Sequence, residues 1–270
     1  PMQRILITGA AGNLGGMLRR ELRGLAPHLR LTDVAPMPPA GEGEEVATCD
    51  LADFDGMLRL MDGVDAVLHF GAIPREDSFD AILRSNILGT YNVFEAARRR
   101  GVRRIVFASS NHAIGMYRRT EPIDADAPMR PDSYYGLAKC FGENLARLYW
   151  DKHGIEAACL RIGSCFPEPT GERMLATWLS YGDLARLVRC CVEAPHLGFV
   201  VVYGASDNRR RWWDNRKAGF LGWQPQDSAD AFAERILAEA PSADPDDPAL
   251  RFQGGAFAAA DYSSGRPPPE

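Results

Sequence analysis

Short apolar runs alternate along the chain with longer stretches whose apolar residues recur every three or four positions. The runs at 4–8, 29–33, 45–49, 66–70, 104–108, 157–162 and 199–203 are strand-like. Between them, residues 14–25, 54–61, 79–100, 135–152 and 181–193 carry helical spacing. Such alternation predicts an α/β fold: a doubly wound parallel sheet with helices on both faces and right-handed crossovers. No internal repeat or low-complexity block interrupts it. After Pro241 the chain is rich in Pro, Asp, Gly and Ala and closes on Pro267-Pro268-Pro269-Glu270, which predicts an extended arm and a frayed end.

Composition narrows the function more than the fold. A chain of 270 residues can bury a large core and fits one big domain, or one domain with a small lobe. A net charge of −5 argues against nucleic acid as a partner. It also requires that an anionic substrate be met by local basic groups, not by the overall field. Only three of the 31 basic residues are lysines: Lys139, Lys152 and Lys217. No apolar run reaches membrane-span length, and the first residues enter a strand pattern with no signal-peptide layout. Cys49, Cys140, Cys159, Cys165, Cys190 and Cys191 form no Cys-x-x-Cys pair and are expected as reduced, mostly buried thiols, Cys190 and Cys191 on a buried helix face. Together these features predict a cytoplasmic protein without a membrane partner. His69 lacks a second ligand at metal spacing, so no metal is expected.

Candidate chemistry sits at the ends of the strand-like runs. Gly9, Gly12 and Gly15 follow the first strand and open a helix, the context in which glycines let backbone approach a pyrophosphate at a helix N-terminus. Asp33 ends the second strand. A carboxylate there can accept from the adenosine ribose hydroxyls and would repel a 2′-phosphate, favouring NAD over NADP. The alternative for Asp33 is an ordinary strand-end turn residue. Tyr135 and Lys139 stand four apart, on one helix face. The ammonium favours the phenolate, so the tyrosine can take a proton while hydride leaves the same carbon. Lys139 can also hold the cofactor ribose. Ser110 follows the strand at 104–108, where a hydroxyl can orient a substrate oxygen. Tyr134 is five from Lys139 and is expected to point elsewhere. Trp212 and Trp213 are expected to pack, and Asn86 to bond backbone.

The glycine pattern with Ser110, Tyr135 and Lys139 resembles the extended short-chain dehydrogenase/reductase superfamily. Five further stretches sharpen the resemblance. They are Phe107-Ala108-Ser109-Ser110-Asn111-His112, Pro131-Asp132-Ser133-Tyr134-Tyr135-Gly136, Arg161-Ile162-Gly163-Ser164-Cys165 with Pro167-Glu168-Pro169 and Arg173-Met174, Trp212-Trp213-Asp214-Asn215, and Phe252-Gln253-Gly254-Gly255. These are similar to uronate dehydrogenases over essentially the whole chain. The resemblance implies a Rossmann-type fold with a small C-terminal substrate-binding lobe, here 1–163 for the NAD-binding core and 164–270 for the substrate region and tail, as one integrated domain. It implies oxidation of D-galacturonate or D-glucuronate at the anomeric carbon, with NAD, to an aldarolactone.

By the same resemblance Tyr135 is the general base and Ser110 positions the anomeric hydroxyl. Asn111 and His112 bind sugar hydroxyls, Ser164 adds a contact, and Arg173 pairs with the substrate carboxylate. Asn13, Leu14, Asp33, Asp50, Leu51, Gly71, Ala72, Tyr135 and Lys139 lie against the cofactor. A guanidinium fork suits a planar carboxylate. The long helical stretches at 79–100 and 135–152 resemble those that pair across dimers, so a homo-oligomer is expected. One departure concerns the sugar: where the family commonly has a serine, this chain has Pro74, which donates no hydrogen bond. Arg75 or Ser78 are the candidate replacements, and the preferred uronic acid is left open. Two other readings keep the cofactor. A nucleotide-sugar epimerase or dehydratase needs a larger C-terminal lobe than residues 164–270 provide. A non-catalytic NAD sensor has no use for Tyr135, Lys139 and Ser110 together.

Overall fold

Strand-like runs become strands almost where the pattern puts them. In the computed structural model residues 1–264 are described; the closing run Pro267-Pro268-Pro269-Glu270 lies outside them. The strands are β1 (Arg4–Thr8), β2 (His28–Asp33), β3 (Glu44–Thr48), β4 (Ala66–His69), β5 (Arg104–Ser110), β6 (Glu156–Ile162), β7 (Ser164–Cys165), β8 (Trp178–Leu179) and β9 (Phe199–Gly204). One parallel sheet runs β3-β2-β1-β4-β5-β6-β9, and β7 pairs with β8 apart from it. The chain order reverses between β1 and β4, so the crevice beyond their carboxyl ends is where a doubly wound sheet takes its ligand.

The main helices are α1 (Asn13–Glu21), α2 (Phe54–Leu60), α3 (Phe79–Ile82), α4 (Gly89–Arg99), α5 (Tyr134–His153), α6 (Met174–Thr177), α7 (Tyr181–Glu193) and α8 (Ala233–Glu239). Alternation along each strand decides which core a side chain joins. Ile5 and Ile7 face α1 and α7, packing with Leu18, Leu22, Leu184 and Leu187. Leu6 faces the other way, into a core with Met57, Val93, Phe94 and Ala146 of α2, α4 and α5. Ser133 caps α5, its hydroxyl accepting from Gly136 N at 2.9 Å. Within the described part of 164–270, β9 joins the main sheet and α7 packs on its core. Two smaller cores lie beside the sheet, one of Tyr203 and Trp213 with Ile114, Tyr117 and Ile123, the other of Leu175, Trp178, Ala229 and Ile236.

Three expectations change. The helical stretch at 79–100 is continuous but widens into a π turn at Leu83–Leu88 between α3 and α4. That turn carries the buried Asn86, whose amide oxygen accepts from Ile73 N at 2.9 Å and whose nitrogen donates to Ile73 O at 3.0 Å. The expected extended arm after Pro241 instead folds back. It forms α9 (Pro248–Arg251) and α10 (Ala256–Ala259), with Phe252 and Gln253 fully buried between them. Buried Gln253 satisfies its amide with Trp213 Nε1, Arg118 O and Glu121 O, which ties the segment to Trp213 and to the loop between β5 and α5. The six cysteines are free thiols, as expected, but only Cys191 of the adjacent pair is buried, Cys190 being half-exposed on α7.

His69 proves to be a buried strand-end residue, bonded to Thr8 Oγ1 at 2.7 Å and Thr90 Oγ1 at 3.1 Å. Burial, with the nearby Lys139 charge, pushes it down to about 3, so it stays neutral in the folded protein while the unfolded chain protonates below about 6.5. Stability from this group is complete above pH 6.5 and is lost as pH falls toward 3, at roughly 1.4 kcal/mol per pH unit. Denaturant melts at neutral pH and at about pH 5 should therefore show the wild type losing about 2 kcal/mol more than His69→Gln. Equal losses in the two proteins would remove the effect.

Candidate active site

The cofactor side is built from backbone. After β1 the chain turns at Gly9, which has φ +67°, and a Cβ there would lie 2.5 Å from Phe70 O at the end of β4. Glycine is needed because the two strand ends nearly touch at the reversal point. A Cβ on Gly15 would run into Gly9 O, so α1 packs directly on the turn. The N-cap of α1 is Gly12, with no side-chain cap and no acidic residue in the first turn. By contrast α2, α5 and α7 are capped by Asp53, Ser133 and Ser180. The open N–H groups and positive dipole end of α1 fit a pyrophosphate.

The other cofactor candidates follow at the ends of neighbouring strands. Asp33 ends β2, its carboxylate accepting from Ala11 N at 2.9 Å and Ala35 N at 3.1 Å. It is thus a turn residue and also a carboxylate fixed beside the glycine turn. Asp50, just past β3, accepts from Ala52 N and pairs with Arg84 at 2.9 Å on the surface. Leu51 packs where Cβ atoms on Gly71 or Gly89 would intrude. Gly71 and Ala72 follow β4, and Asn13 and Leu14 open α1. The carboxyl ends of β1 to β4 therefore gather every cofactor candidate outside α5.

The reactive side groups lie between β5 and α5. Lys139 is buried, donates from Nζ to Ala108 O at 2.6 Å, and is pushed down to about 8 by that burial. Its Nζ lies 5.3 Å from the ring centre of Tyr135 and 5.3 Å from that of Phe107. Burial pushes Tyr135 up to about 12; a hydrogen bond with Ser110 opposes this and the Asp132 charge adds to it. The protein alone thus holds the phenol protonated, and removing its proton requires positive charge beside it. Ser110, at the end of β5, also accepts from His112 N at 3.1 Å. Tyr134 is exposed and meets Phe79 edge-on.

Beyond Ser110 lies a polar cluster that sequence spacing only partly revealed. His112 Nδ1 bonds to Asp132 at 2.7 Å, leaving Nε2 uncommitted by that bond. The Asp132 carboxylate is fully buried, and Cβ atoms on Gly115 or Gly254 would overlap it. Phe257 of α10 stacks on the His112 ring at 3.7 Å between centroids, 13° from parallel, and meets Tyr135 edge-on at 5.8 Å. Arg173 donates from Nη2 to Asn111 Oδ1 at 2.6 Å, from Nη1 to Ser164 Oγ at 3.2 Å and from Nε to Gln253 O at 2.7 Å. Among the described residues no carboxylate pairs with it. Burial and the neighbouring Arg119 charge push it down to about 10, against the pull of Asp132. Asn111 and Ser164, expected at sugar hydroxyls, here hold the arginine. Pro74 is exposed, and Ser78 is spent capping α3. Asp132, Gln253 and Phe257 were missed as site residues. The first two stood in recognisable motifs without an assigned task, and no local pattern announced Phe257.

The parallel sheet, the open phosphate turn and the Ser–Tyr–Lys cluster define a Rossmann-type oxidoreductase that works with a nicotinamide dinucleotide. The sequence matches the NAD dependent epimerase/dehydratase family over residues 5–215. It is 55% identical over 262 residues to a uronate dehydrogenase of Pseudomonas putida, covering 96% of this chain and 97% of that one. It superposes on the crystal structure of a glucuronic acid dehydrogenase from Chromohalobacter salexigens with a TM-score of 0.94 and 50% identity, over 97% of this chain and 100% of that chain. A tyrosine-to-alanine variant of uronate dehydrogenase from Agrobacterium tumefaciens, complexed with NAD, gives 0.92 and 52%, over 96% and 97%. The chain belongs to the uronate dehydrogenases, within the NAD dependent epimerase/dehydratase family.

The glycine cradle around Asp132 yields a test with an internal control. Gly254→Ala should cost about 1–3 kcal/mol of stability and most of the catalytic rate, because the new methyl overlaps the carboxylate. Gly171→Ala has open space within 4 Å and should leave both unchanged. Chemical denaturation and initial rates on the two variants check this.

Proposed function

We propose that the enzyme oxidises a hexuronic acid, D-galacturonate or D-glucuronate, at C1 to the aldarolactone, with NAD as hydride acceptor. The observation that carries this reading is Arg173. A guanidinium has five N–H donors, and three are spent on neutral oxygens. One N–H on each Nη is left to receive a carboxylate as a fork, and Arg173 itself is bonded to Asn111, the residue after Ser110. The glycine turn and Asp33 fit a dinucleotide whose ribose hydroxyls are free, hence NAD.

The residues divide the work as follows. Arg173 anchors the sugar acid by its carboxylate. His112 offers Nε2, and Asn111 and Ser164 their remaining hydrogen-bonding capacity, to ring hydroxyls. Ser110 orients the C1 hydroxyl toward Tyr135 Oη, which takes its proton. A bound oxidised nicotinamide accepts the hydride from C1 and adds positive charge beside the phenol. Lys139 adds a second positive charge from the helix turn below Tyr135 and reaches the cofactor ribose. Phe257 stacks on His112 and meets Tyr135 edge-on, an apolar wall beside both rings. A stripe of exposed apolar residues on adjacent helices, Leu88 and Tyr91 with Tyr134, Leu137 and Leu148, supports a homo-oligomer paired through α4 and α5. Six free thiols fit a reducing compartment, and we place the reaction in the cytoplasm. Among the described residues no helix is long and apolar enough to cross a membrane.

The test is NADH formation from free galacturonate, free glucuronate and UDP-sugars, with NAD or NADP supplied. Free uronates with NAD should be the productive pair, and turnover confined to UDP-sugars would overturn the reading. Tyr135→Phe should lower kcat by roughly a thousandfold while the NAD dissociation constant moves less than about threefold. A fully active variant would remove the proton-transfer role.

A further inference from the structure

A second arginine stands beside the first. Arg119 donates from Nε to Phe252 O at 3.2 Å and from Nη2 to Ala249 O at 2.6 Å, while its backbone N–H reaches Arg251 O at 2.9 Å. Arg173 donates to Gln253 O, the next carbonyl along the same segment. The two guanidiniums thus grip successive residues of the strip that leads to Phe257. Arg119 also lies over the Trp212 ring, 5.4 Å from its centre. Among the described residues neither arginine forms an ion pair. Glu172 and Asp247 act on Arg119 only through space, and burial lowers its proton affinity below the usual guanidinium value. Its charge in turn depresses that of Arg173. Backbone carbonyls would pin the segment equally well to a neutral donor. Two like charges that act on each other and, among the described residues, form no ion pair make sense where an anion comes to relieve them.

We infer that Arg119 is an outer cation of the Arg173 carboxylate site, and that it sets how strongly the enzyme prefers an acidic sugar over a neutral one. The inference rests on the uronate reading above and assigns Arg119 no contact with the reacting atoms. Arg119 acts through space on the bound carboxylate, as Arg173 acts by contact. A protein with net charge −5 gains from a second positive charge near the one that meets the carboxylate.

The experiment separates charge from pinning. Arg119→Gln should raise the KM for galacturonate about fivefold, with kcat and the KM for galactose within about twofold. Arg119→Lys keeps the charge and loses the fork, and should restore the galacturonate KM. Between roughly 0.02 and 0.2 M salt, kcat/KM for galacturonate should fall more steeply in the wild type than in Arg119→Gln. Arg173→Ala, run alongside, should raise the galacturonate KM more than Arg119→Gln does. Equal losses on acid and neutral sugars in both Arg119 variants would show a pinning role alone and overturn the inference. So would an unchanged galacturonate KM in Arg119→Gln. A wild type that turns over no free uronate would sink the functional reading itself. Normal wild-type turnover with any of the adverse variant results would sink this inference alone.

Discussion

A buried positive charge without a carboxylate partner is costly, and Arg173 is held in place only because four separate parts of the chain supply neutral oxygens to it or carry it. Asn111 comes from the end of β5, Ser164 from β7, Gln253 from the segment before α10, and Arg173 itself stands at the start of α6. Each of these elements must be in place before the guanidinium can be. The placement of Arg173 is therefore a consequence of the whole tertiary fold, and so is the position of Phe257, which follows Gln253 by four residues.

Helix α5 is held by a second buried arrangement. One turn beyond Lys139, Glu143 accepts from Ser109 at 2.6 Å and pairs with Arg161 of β6 at 2.9 Å, both charged side chains being almost fully buried. Arg161 also reaches the Tyr203 hydroxyl on β9. Removing one partner would strand the other charge, at a cost of about 3–5 kcal/mol. At its N-terminus the same helix is met by the Glu76 carboxylate, which accepts from Tyr134 N and Tyr135 N at 2.8 Å each. Tyr135 and Lys139 thus sit on a helix clamped at its beginning and in its middle, and the loop that follows Gly71 and Ala72 is tied to it.

Much of this was legible from residue order. Apolar periodicity placed the seven strands of the main sheet within a residue or two and located α5 and α7 as closely, because burial on a pleated strand or a helix stripe repeats with local geometry. The glycine turn was legible because only glycine tolerates that approach to Phe70. Two features were not. The π turn at Leu83–Leu88 keeps helical spacing, so it is visible only once Asn86 is seen bonding Ile73. The segment after Pro241 has the composition of an arm, and its burial depends on Tyr117 and Gly115, more than a hundred positions earlier, and on Trp213, 40 positions before Gln253.

The sequence by itself determined the fold class, the dinucleotide turn and the Tyr135/Lys139 pair, all features whose partners lie within a few residues and whose geometry is set by backbone periodicity. Only the tertiary structure decided that Asn111 and Ser164 hold Arg173, that Asp132 fixes His112, that Phe257 stacks on His112, and that Arg119 and Arg173 grip the same segment. Those arrangements depend on how widely separated segments meet, and the cost of burying charge and unpaired polar groups selects the meeting in which each is satisfied.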